Sequence, residues 1–446
     1  MTYDYTKILI MKLKDDILQK AATKSEVVGV MGLGYVGLPL AVSFAQAGVT
    51  VIGFEKSARK ADLINAGRNY IRDVHDEALK QVAEAKTLTA TTDVSRLREC
   101  DAILICVPTP LDIFRKPDMR FIDQACRDIA RYMKAGTFVC LESTTYPTTT
   151  ESFILPVLEE GSGMEHGQDF WLAFSPERVD PGNTRYGTRN TPKVLGALAP
   201  DGLEIGQAIY GQAIDTIYPV SSPRVAEMVK ILENTYRLIN ISLINELALL
   251  CGKMDINIWE VIEAAKTKPY GFQAFYPGPG IGGHCIPLDP FYLEHIAKKF
   301  GFDLSMINTA GHINNMMAHR MTIKITSALN RHQKPVRGSR LLFLGVAYKP
   351  GIDDARESPA LRIIDEVVKK GGAVSFHDPY IAEVTTPEGN TFASVPFTSG
   401  TLEEADCIVI CTAHEPFDPT FILRHAPLVV DLCNAVKQPS DNVYKL

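Results

Sequence analysis

The chain lacks the features that direct a protein to membranes or to nucleic acid. None of its apolar runs is long enough to span a bilayer, and charges such as Lys7, Lys12 and Asp15 interrupt the apolar core that a signal peptide needs. Its 46 lysines and arginines are interspersed with 52 aspartates and glutamates, which leaves no broad basic surface. We therefore expect a cytoplasmic protein that binds neither membranes nor nucleic acid.

The cysteines lack the paired spacing of a zinc site. There are nine of them, an odd number, and most lie in apolar runs. Cysteines in such runs usually act as small buried hydrophobes in a reducing compartment. We expect no metal site.

The pattern of apolar residues indicates an α/β protein of two or three domains, because 446 residues exceed the size of one hydrophobic core. After Glu26, short β-rich runs alternate with helical stretches, which is typical of a parallel sheet with helices on both faces. The predicted elements are strands at Val27–Met31, Thr50–Phe54, Ala102–Val107 and Thr137–Glu142, and a helix at Val36–Ala47.

The pattern changes at residues 221–254, which predict one long helix with Ser222 and Pro223 in its first turn. A helix of this length does not fit as a crossover within a compact sheet, so we expect a middle, all-helical segment. Further helices are predicted at 258–265, 303–330 and 359–370, and strands return at 340–344, 373–376, 407–411 and 428–432.

The predicted fold therefore consists of two Rossmann-like, doubly wound parallel-sheet domains joined by a central all-helical segment with a long spine helix. The expected boundaries are an N-terminal extension at 1–25, a dinucleotide-binding domain at 26–215, the helical segment at 216–330 and a second α/β domain at 331–446.

A glycine pattern, Gly32-Leu-Gly34-Tyr-Val-Gly37, follows the first predicted strand and opens a helix. In this context the first glycine permits a tight turn, the second lets a pyrophosphate approach the backbone, and the third permits close packing of helix and strand. The next strand ends at Glu55, where an acid hydrogen-bonds the adenosine ribose and repels a 2′-phosphate. The pattern predicts NAD rather than NADP; the alternatives are a glycine turn without a ligand and a solvated Glu55.

Cys285 lies in a glycine- and proline-rich stretch, Tyr276-Pro-Gly-Pro-Gly-Ile-Gly-Gly-His-Cys-Ile-Pro-Leu-Asp-Pro290. Glycines allow a ligand to approach the backbone closely, and His284 and Asp289 bring titratable groups near the thiol. A thiol beside a hydride acceptor fits the oxidation of an aldehyde through a thioester. The alternative is a buried, inert thiol, and His284 is expected to be structural or to face the substrate.

Lys230 and Asn234 are four residues apart on the long predicted helix, and Glu227 lies on nearly the same face. An ammonium and an amide on one face are suited to stabilising a developing oxyanion. The alternative is a solvated surface stripe, and helical periodicity alone does not decide between them.

Two further groups follow predicted strand ends, the usual place for function in an open α/β sheet. Glu177 lies in Ser-Pro-Glu-Arg after the strand at 171–174, and Ser143-Thr144 follow the strand at 137–142. The alternative for both is an ordinary exposed turn.

Together the motifs resemble the UDP-glucose/GDP-mannose dehydrogenase family. The resemblance covers residues 28–362 and rests on GLGYVGLPLA, CVPTP, SPER, KILENTYRLINISLINE, GPGIGGHCIPLDP and YKPGIDDARESPAL, in that order. It implies an N-terminal NAD-binding domain, a helical middle that forms a homodimer or higher homo-oligomer, and a C-terminal domain that binds the UDP part of a UDP-sugar. It also implies a four-electron oxidation of the sugar C6 alcohol to a uronic acid, for precursors of surface polysaccharides.

The resemblance also implies roles for individual residues. Cys285 is the nucleophile, Asp289 organises or activates water, Lys230 and Asn234 stabilise the oxyanion, Glu177 is the base for thioester hydrolysis, and Thr144 orders water near the nicotinamide. The implied cofactor site is Gly32, Gly34, Tyr35, Val36, Gly37, Glu55, Lys60, Pro108, Thr109, Ser143 and Thr144. The implied substrate site is Glu177, Arg178, Lys230, Asn234, Tyr276, Gly280, Gly282, Lys349 and Arg356.

Two departures bear on the substrate. Family members that act on UDP-glucose usually follow SPE with Phe-Leu and a second glutamate, and carry a lysine just before the aspartate; this chain has Arg178-Val-Asp180-Pro181 and Leu288. The differences favour a UDP-N-acetylhexosamine, with UDP-N-acetylglucosamine as first choice. UDP-N-acetylmannosamine, UDP-glucose and GDP-mannose are the alternatives. Two other classes are a two-electron dehydrogenase of the hydroxyacid type and a nucleotide-binding protein without catalysis.

Overall fold

The structure is a computed structural model that describes residues 2–71, 73–110, 117–180, 182–183, 185–283, 285–438 and 440–446, with side chains from residue 10 onward. The described chain divides into two compact units, Met1–Glu233 with Lys298–Phe300, and Asn234–Ala297 with Gly301–Leu446.

The first unit is built on a sheet with the strand order β3-β2-β1-β4-β5-β6-β7-β8. Its strands are β1 (Val27–Met31), β2 (Thr50–Phe54), β3 (Leu88–Thr91), β4 (Ala102–Ile105), β5 (Thr137–Leu141), β6 (Phe170–Phe174), β7 (Lys193–Ala197) and β8 (Ile217–Val220). The central strands are almost continuous apolar runs because both faces of the sheet are covered by helices. Adjacent strands are parallel except β6 and β7, which are antiparallel.

Helices of the first unit cover these faces. They are α1 (Thr2–Thr23), α2 (Gly37–Gln46), α3 (Ala58–Asn65), α4 (Asp76–Glu84), α5 (Arg120–Tyr132), α6 (Leu155–Ser162) and α7 (Pro200–Tyr210), with a π-helical turn at Thr150–Ile154 and a 3₁₀ turn at Val94–Glu99. Helix α1 buries Ile17 and Ala21 in the core that includes β1 and α2. The residues predicted as an N-terminal extension thus include a helix that packs on this unit.

Helix α8 (Pro223–Lys253) begins in the first unit and ends in the second. The second unit adds α9 (Ile258–Lys266), α10 (Asp289–Ala297) and α11 (Ser305–Arg331), while Lys298–Phe300 form a 3₁₀ turn assigned to the first unit. The central region is helical, as predicted.

The remainder of the second unit is α/β. Its strands are β9 (Arg340–Leu344), β10 (Ala373–His377), β11 (Glu383–Thr385), β12 (Thr391–Ala393), β13 (Cys407–Ile410), β14 (Val429–Asp431) and β15 (Val443–Lys445), and its helices are α12 (Pro359–Lys369), α13 (Ser399–Glu404) and α14 (Pro419–His425). The parallel sheet has the order β10-β9-β13-β14-β15, and β11 and β12 form an antiparallel pair.

The predicted fold class is confirmed, with one departure from a fully parallel sheet. After β6 the chain turns back, so β7 starts at the carboxyl end of β6 and runs against it, with Phe174 opposite Gly196. The predicted domain boundaries stay predictions. Among the described helices, none combines the length and the apolar character needed to cross a membrane.

Candidate active site

The glycine turn has the geometry that its spacing predicts. Gly32 has φ +89°, a left-handed conformation that favours glycine, and its N–H donates to the Phe54 carbonyl at 2.8 Å. A Cβ at Gly37 would lie 1.9 Å from the Gly32 carbonyl oxygen, whereas a Cβ at Gly34 would have no described atom within 4 Å. The backbone at Gly34 is therefore open to a ligand.

Glu55 faces this turn from the end of β2. Its carboxylate accepts hydrogen bonds from Leu33 N at 3.4 Å and from Ser57 N at 3.1 Å. Tyr70, which sequence reasoning did not identify, donates to the Leu33 carbonyl at 2.6 Å, and Lys60 Nζ lies 5.4 Å from the Tyr70 ring centroid. The predicted residues Gly32, Glu55 and Lys60 thus surround one turn. An open glycine backbone beside a carboxylate fits a dinucleotide with a free ribose hydroxyl.

The ends of β4 and β5 carry the other predicted cofactor residues. The Ser143 hydroxyl donates to the Val107 carbonyl at 2.6 Å, so it ties the two strand ends together. Thr109 and Ser143 are buried, Thr144 is half-buried and Pro108 is exposed. Among these residues, Thr144 and Pro108 present the more accessible surface.

Glu142 and Lys193 form a buried ion pair that sequence reasoning missed. Lys193 Nζ lies 2.6 Å from a Glu142 carboxylate oxygen, and the Tyr210 hydroxyl donates to the other oxygen. Burial opposes the charge on Lys193, but attraction to Glu142 and Glu177 outweighs it and raises the pKa of this ammonium. The available signal was a charged residue at one end of each of two apolar runs: Glu142 directly follows β5, and Lys193 is the first residue of β7.

Glu177 and Lys230 are brought together in the first unit. Lys230 Nζ donates to the Glu177 carbonyl at 2.6 Å, and the Glu177 carboxylate accepts from the backbone N–H groups of Arg178 and Val179 at 2.8 and 2.6 Å. The Arg178 guanidinium lies 2.6 Å from the Glu233 carboxylate and donates to the Pro192 carbonyl at 2.7 Å. Arg178 therefore holds the Glu177 loop against helix α8.

The predicted positions on helix α8 do not form a solvated stripe. Glu227 and Asn234 are buried, and Lys230 is half-buried. The Glu227 carboxylate accepts hydrogen bonds from Thr148 N at 2.6 Å, Thr150 N at 2.9 Å and the Thr150 hydroxyl at 2.7 Å. The surface-stripe alternative is wrong for Glu227 and Asn234.

In the second unit, Asn234 and Asp289 form a buried pair beside Cys285. Asn234 Nδ2 donates to Asp289 Oδ2 at 2.6 Å, and Asp289 N donates to the Cys285 carbonyl at 2.8 Å, which starts helix α10. Cys285 is exposed, whereas Cys100 and Cys407 are buried. Burial raises the pKa of the Cys100 and Cys407 thiols to about 12. Cys285 is therefore an exposed residue whose backbone is hydrogen-bonded to Asp289, the residue that carries the fixed carboxylate. His284 and Pro181 lie outside the described residues.

The glycines before Cys285 pack on the segment after β9. A Cβ at Gly282 would lie 2.7 Å from Tyr348 Cβ and 3.0 Å from the Glu357 carbonyl oxygen. Gly283 N donates to the Arg356 carbonyl at 3.1 Å, and Gly280 has φ +136°. Lys349 follows Tyr348 directly, so this packing brings the predicted substrate residues Gly282, Lys349 and Arg356 into one region of the second unit.

Tyr276 lines a cavity of about 760 Å³ in the second unit. Its ring stacks on Trp259 with centroids 6.1 Å apart, and Lys437 Nζ lies 6.0 Å from the Trp259 ring. Sequence reasoning missed Trp259 and Lys437. An aromatic surface with ammonium groups is chemically suited to a base or sugar that carries phosphate. The cavity is lined by Asn257, Trp259, Glu260, Glu263, Tyr276, Pro277, Cys433, Asn434, Lys437 and Lys445.

The residues fall into one group in each unit. Glu177, Lys230, Thr144 and the glycine turn belong to the first unit, and Asn234, Cys285, Asp289, Tyr276, Lys349 and Arg356 belong to the second. In the part of the chain that the structure describes, no cluster of three or more histidine, cysteine or carboxylate side chains has the arrangement of a metal site.

Comparisons with known proteins match all three parts of the chain to one family. Residues 26–214 match the NAD binding domain of the UDP-glucose/GDP-mannose dehydrogenase family, residues 224–316 its central domain, and residues 342–438 its UDP binding domain. A UDP-N-acetyl-D-glucosamine 6-dehydrogenase of Pseudomonas aeruginosa is 34% identical over 392 residues, 87% of this chain and 91% of that protein.

A UDP-N-acetyl-D-mannosamine dehydrogenase of Pyrococcus horikoshii is also 34% identical, over 419 residues that cover 92% of this chain and 96% of that protein. A solved structure of the UDP-N-acetyl-D-mannosamine dehydrogenase from that organism superposes with a TM-score of 0.86 at 31% identity, covering 94% of this chain and 98% of the other.

Proposed function

The chain belongs to the UDP-glucose/GDP-mannose dehydrogenase family, and we propose from that premise that it oxidises the C6 hydroxyl of a UDP-N-acetylhexosamine to the uronic acid. It is an NAD-dependent nucleotide-sugar dehydrogenase. UDP-N-acetylglucosamine is the first choice of substrate, and the product serves as a precursor of surface polysaccharides.

The observation that carries the proposal is the exposed Cys285, whose carbonyl accepts a hydrogen bond from the backbone of Asp289 in the buried Asn234–Asp289 pair. NAD, when bound at the glycine turn, accepts the hydride in each of the two oxidations. Cys285 Sγ adds to the C6 aldehyde, and oxidation of the resulting thiohemiacetal gives a thioester. Water then adds to the thioester carbonyl, and the C6–Sγ bond breaks to release the uronic acid and the thiolate.

The remaining side chains have roles that suit their chemistry. Lys230 and Asn234 stabilise the oxyanion that forms at C6, since an ammonium and an amide are suitable donors. Asp289 organises water, and Glu177 takes a proton from the attacking water. Thr144 orders water near the nicotinamide.

The other predicted site residues would hold the cofactor and the nucleotide. At the glycine turn, Gly32, Gly34 and Gly37 with Tyr35 and Val36 would hold the NAD pyrophosphate, and Glu55 and Lys60 would hold the adenosine; Pro108, Thr109, Ser143 and Thr144 would hold the nicotinamide. In the second unit, Tyr276 and its cavity receive part of the nucleotide, and Gly280, Gly282, Lys349 and Arg356 complete the substrate site.

The choice of an N-acetyl sugar rests on two observations. Arg178 replaces the hydrophobic residue that usually follows SPE in UDP-glucose enzymes, and its guanidinium is bound to Glu233 and Pro192. Relatives named as UDP-N-acetyl-D-glucosamine and UDP-N-acetyl-D-mannosamine dehydrogenases are equally identical to this chain, at 34%. UDP-N-acetylmannosamine is therefore the second candidate substrate.

A panel of UDP-sugars and GDP-mannose, assayed by NADH formation with analysis of the sugar product, tests the proposal. We expect the largest kcat/KM with UDP-N-acetylglucosamine and two NADH per uronic acid. One NADH per sugar with the aldehyde as final product would exclude the four-electron reaction.

The Cys285→Ser variant supplies the residue-level test. Acid formation should fall by about 10³-fold or more, the scale on which loss of a catalytic nucleophile acts. Cys251→Ser is the matched control, because Cys251 is half-buried in α8, and it should retain activity. Equal acid formation by both variants would exclude covalent catalysis by Cys285.

We also propose that the enzyme acts in the cytoplasm, where a reducing environment keeps thiols such as Cys285 reduced. Fractionation of cells that express the tagged chain tests this location. Finding the protein in the membrane or secreted fraction would contradict it.

A further inference from the structure

The buried ion pair of Glu142 and Lys193 lies at the edge of the sheet where the proposed base is found. Glu142 directly follows β5, and Lys193 is the first residue of β7. The exposed fractions of the two side chains are 0% and 6%, and the Tyr210 hydroxyl donates to the Glu142 carboxylate. Both charges are therefore removed from water together.

Stability alone is a weak reason for such a pair. Taking two charges out of water costs several kcal/mol per ion, and apolar replacements of buried ion pairs are often neutral or stabilising. The location of this pair points to a different purpose. Glu142 precedes Ser143 and Thr144, and the antiparallel register of β6 and β7 places Lys193 beyond the carboxyl end of β6.

The loop that carries Glu177 is attached to the residues next to Glu142 and Lys193. Ser175 N donates to the Leu141 carbonyl at 2.9 Å, next to Glu142, and the Ser175 hydroxyl donates to the Val194 carbonyl at 2.8 Å, next to Lys193. Glu177 lies two residues after Ser175 in the same loop. A shift of either charged residue would therefore move the backbone that positions Glu177.

The pair also acts on Glu177 through its charges. Lys193 attracts the Glu177 carboxylate, whereas Glu142 repels it, and burial together with this repulsion raises the pKa of the Glu142 carboxyl. The titratable and charged groups that face this region from the surrounding elements are Cys106, Cys140, Glu142, Arg178, Lys193, Tyr210 and Lys230.

We propose that Glu142 and Lys193 are positioning residues for Glu177, which fix its loop and balance the charge around its carboxylate while it accepts a proton from water. The inference rests on the proposed function, in which Glu177 is the base for thioester hydrolysis. In that step the water oxygen bonds to C6, the electron pair of the C6–Sγ bond leaves with Cys285, and the water proton passes to Glu177, with no change in oxidation state.

Two single variants test the electrostatic part of the proposal. Glu142→Gln leaves Lys193 unopposed and should move the acid limb of the hydrolysis rate to lower pH, whereas Lys193→Met leaves Glu142 unopposed and should move it to higher pH. Opposite shifts are expected because the two variants remove charges of opposite sign. Hydrolysis is measured in single turnovers from the decay of the acyl-enzyme mass and the release of uronic acid.

The controls separate positioning from general damage. The exposed Glu165→Gln variant should keep the wild-type acid limb. If Lys193→Met does not fold, the double variant Glu142→Gln/Lys193→Met, which contains no unpaired buried charge, replaces it and should have a smaller shift than Glu142→Gln alone. Shifts in one common direction, or unchanged limbs in folded variants, would overturn the inference.

The two proposals fail in different ways. If the wild-type enzyme does not form two NADH per sugar, the proposed function is wrong. If it does, and folded Glu142→Gln hydrolyses its thioester with a wild-type pH profile, only the positioning role is wrong.

Discussion

Glu227 shows how one buried carboxylate connects two parts of the first unit. It lies in the second turn of α8 and accepts hydrogen bonds from the backbone of Thr148 and Thr150 and from the Thr150 hydroxyl. Thr148 has φ +87°, a conformation that is strained for a residue with a side chain. Glu227 therefore holds the loop after Thr144 next to the helix that carries Lys230.

We predict that Glu227 makes stability depend on pH. Burial raises the pKa of its carboxyl from 4.5 to about 7, although the hydrogen bonds from Thr150 and Thr148 oppose the shift. Between these values the folded state holds a proton that the unfolded state has lost, so the free energy of unfolding falls as pH rises from about 4.5 to about 7. The fall contributed by this group is on the order of 3 kcal/mol.

Urea unfolding at several pH values between 4.5 and 8 measures this effect. The Glu227→Gln variant should lose this component of the pH dependence, whereas Glu165→Gln, an exposed change elsewhere in the first unit, should keep it. Parallel pH profiles for wild type and Glu227→Gln would show that Glu227 does not titrate as described.

At the scale of elements, each glycine in the turn between β1 and α2 meets a different structural requirement. Gly32 takes a positive φ, Gly37 allows the first turn of α2 to approach the Gly32 carbonyl, and Gly34 leaves open space. The first and third glycines are needed for the fold of the apoprotein. The second is needed only when a pyrophosphate approaches the backbone.

Alanine variants should separate these requirements. Gly37→Ala should lower the free energy of unfolding by about 1–3 kcal/mol, since its Cβ meets backbone that cannot move freely. Gly34→Ala should keep the wild-type melting temperature and weaken NAD binding about tenfold, which corresponds to about 1.4 kcal/mol. Calorimetric unfolding and NAD titration measure the two effects, and wild-type NAD affinity in Gly34→Ala would place the pyrophosphate elsewhere.

At the scale of the whole molecule, each unit has its own apolar core, and helix α8 leaves large apolar side chains in water. Leu243, Leu247 and Leu250 on α8 are 48%, 38% and 51% exposed. Residues at spacings of four and three share one face of a helix, so these leucines form a continuous apolar stripe. Such a stripe is typical of a surface that associates with another protein.

We predict that this leucine stripe joins two copies of the chain in a homodimer or higher homo-oligomer. Light scattering of the wild-type protein should give at least twice the mass of 49.1 kDa. Leu243→Glu/Leu247→Glu should give the monomer, because two charges would have to be buried at the interface. Tyr186→Glu, at an exposed aromatic residue in the first unit, is the control and should leave the assembly intact; a monomeric wild type would refute the prediction.

Local sequence pattern was enough to predict the fold class, the positions of most long elements and the glycine turn. These depend on residues close together in the chain: apolar runs for buried strands, the 3.6-residue period for α8, and glycines where φ is positive or backbones approach. The accessibility of Cys285 also followed from its own loop, whose glycines and prolines exclude a regular buried element. Helix α1 and the reversal of β7 were missed because packing, rather than local pattern, fixes them.

The burial of charged residues in pairs depends on packing between distant parts of the chain and could not be predicted from local pattern. Lys193 meets Glu142 across 51 residues of sequence, and Glu227 meets Thr148 across 79. A charge at a strand end or on a helix face has the same local pattern whether it is solvated or paired in the interior. The difference arises from loss of water and gain of a partner, and both are set by chain segments that are distant in sequence.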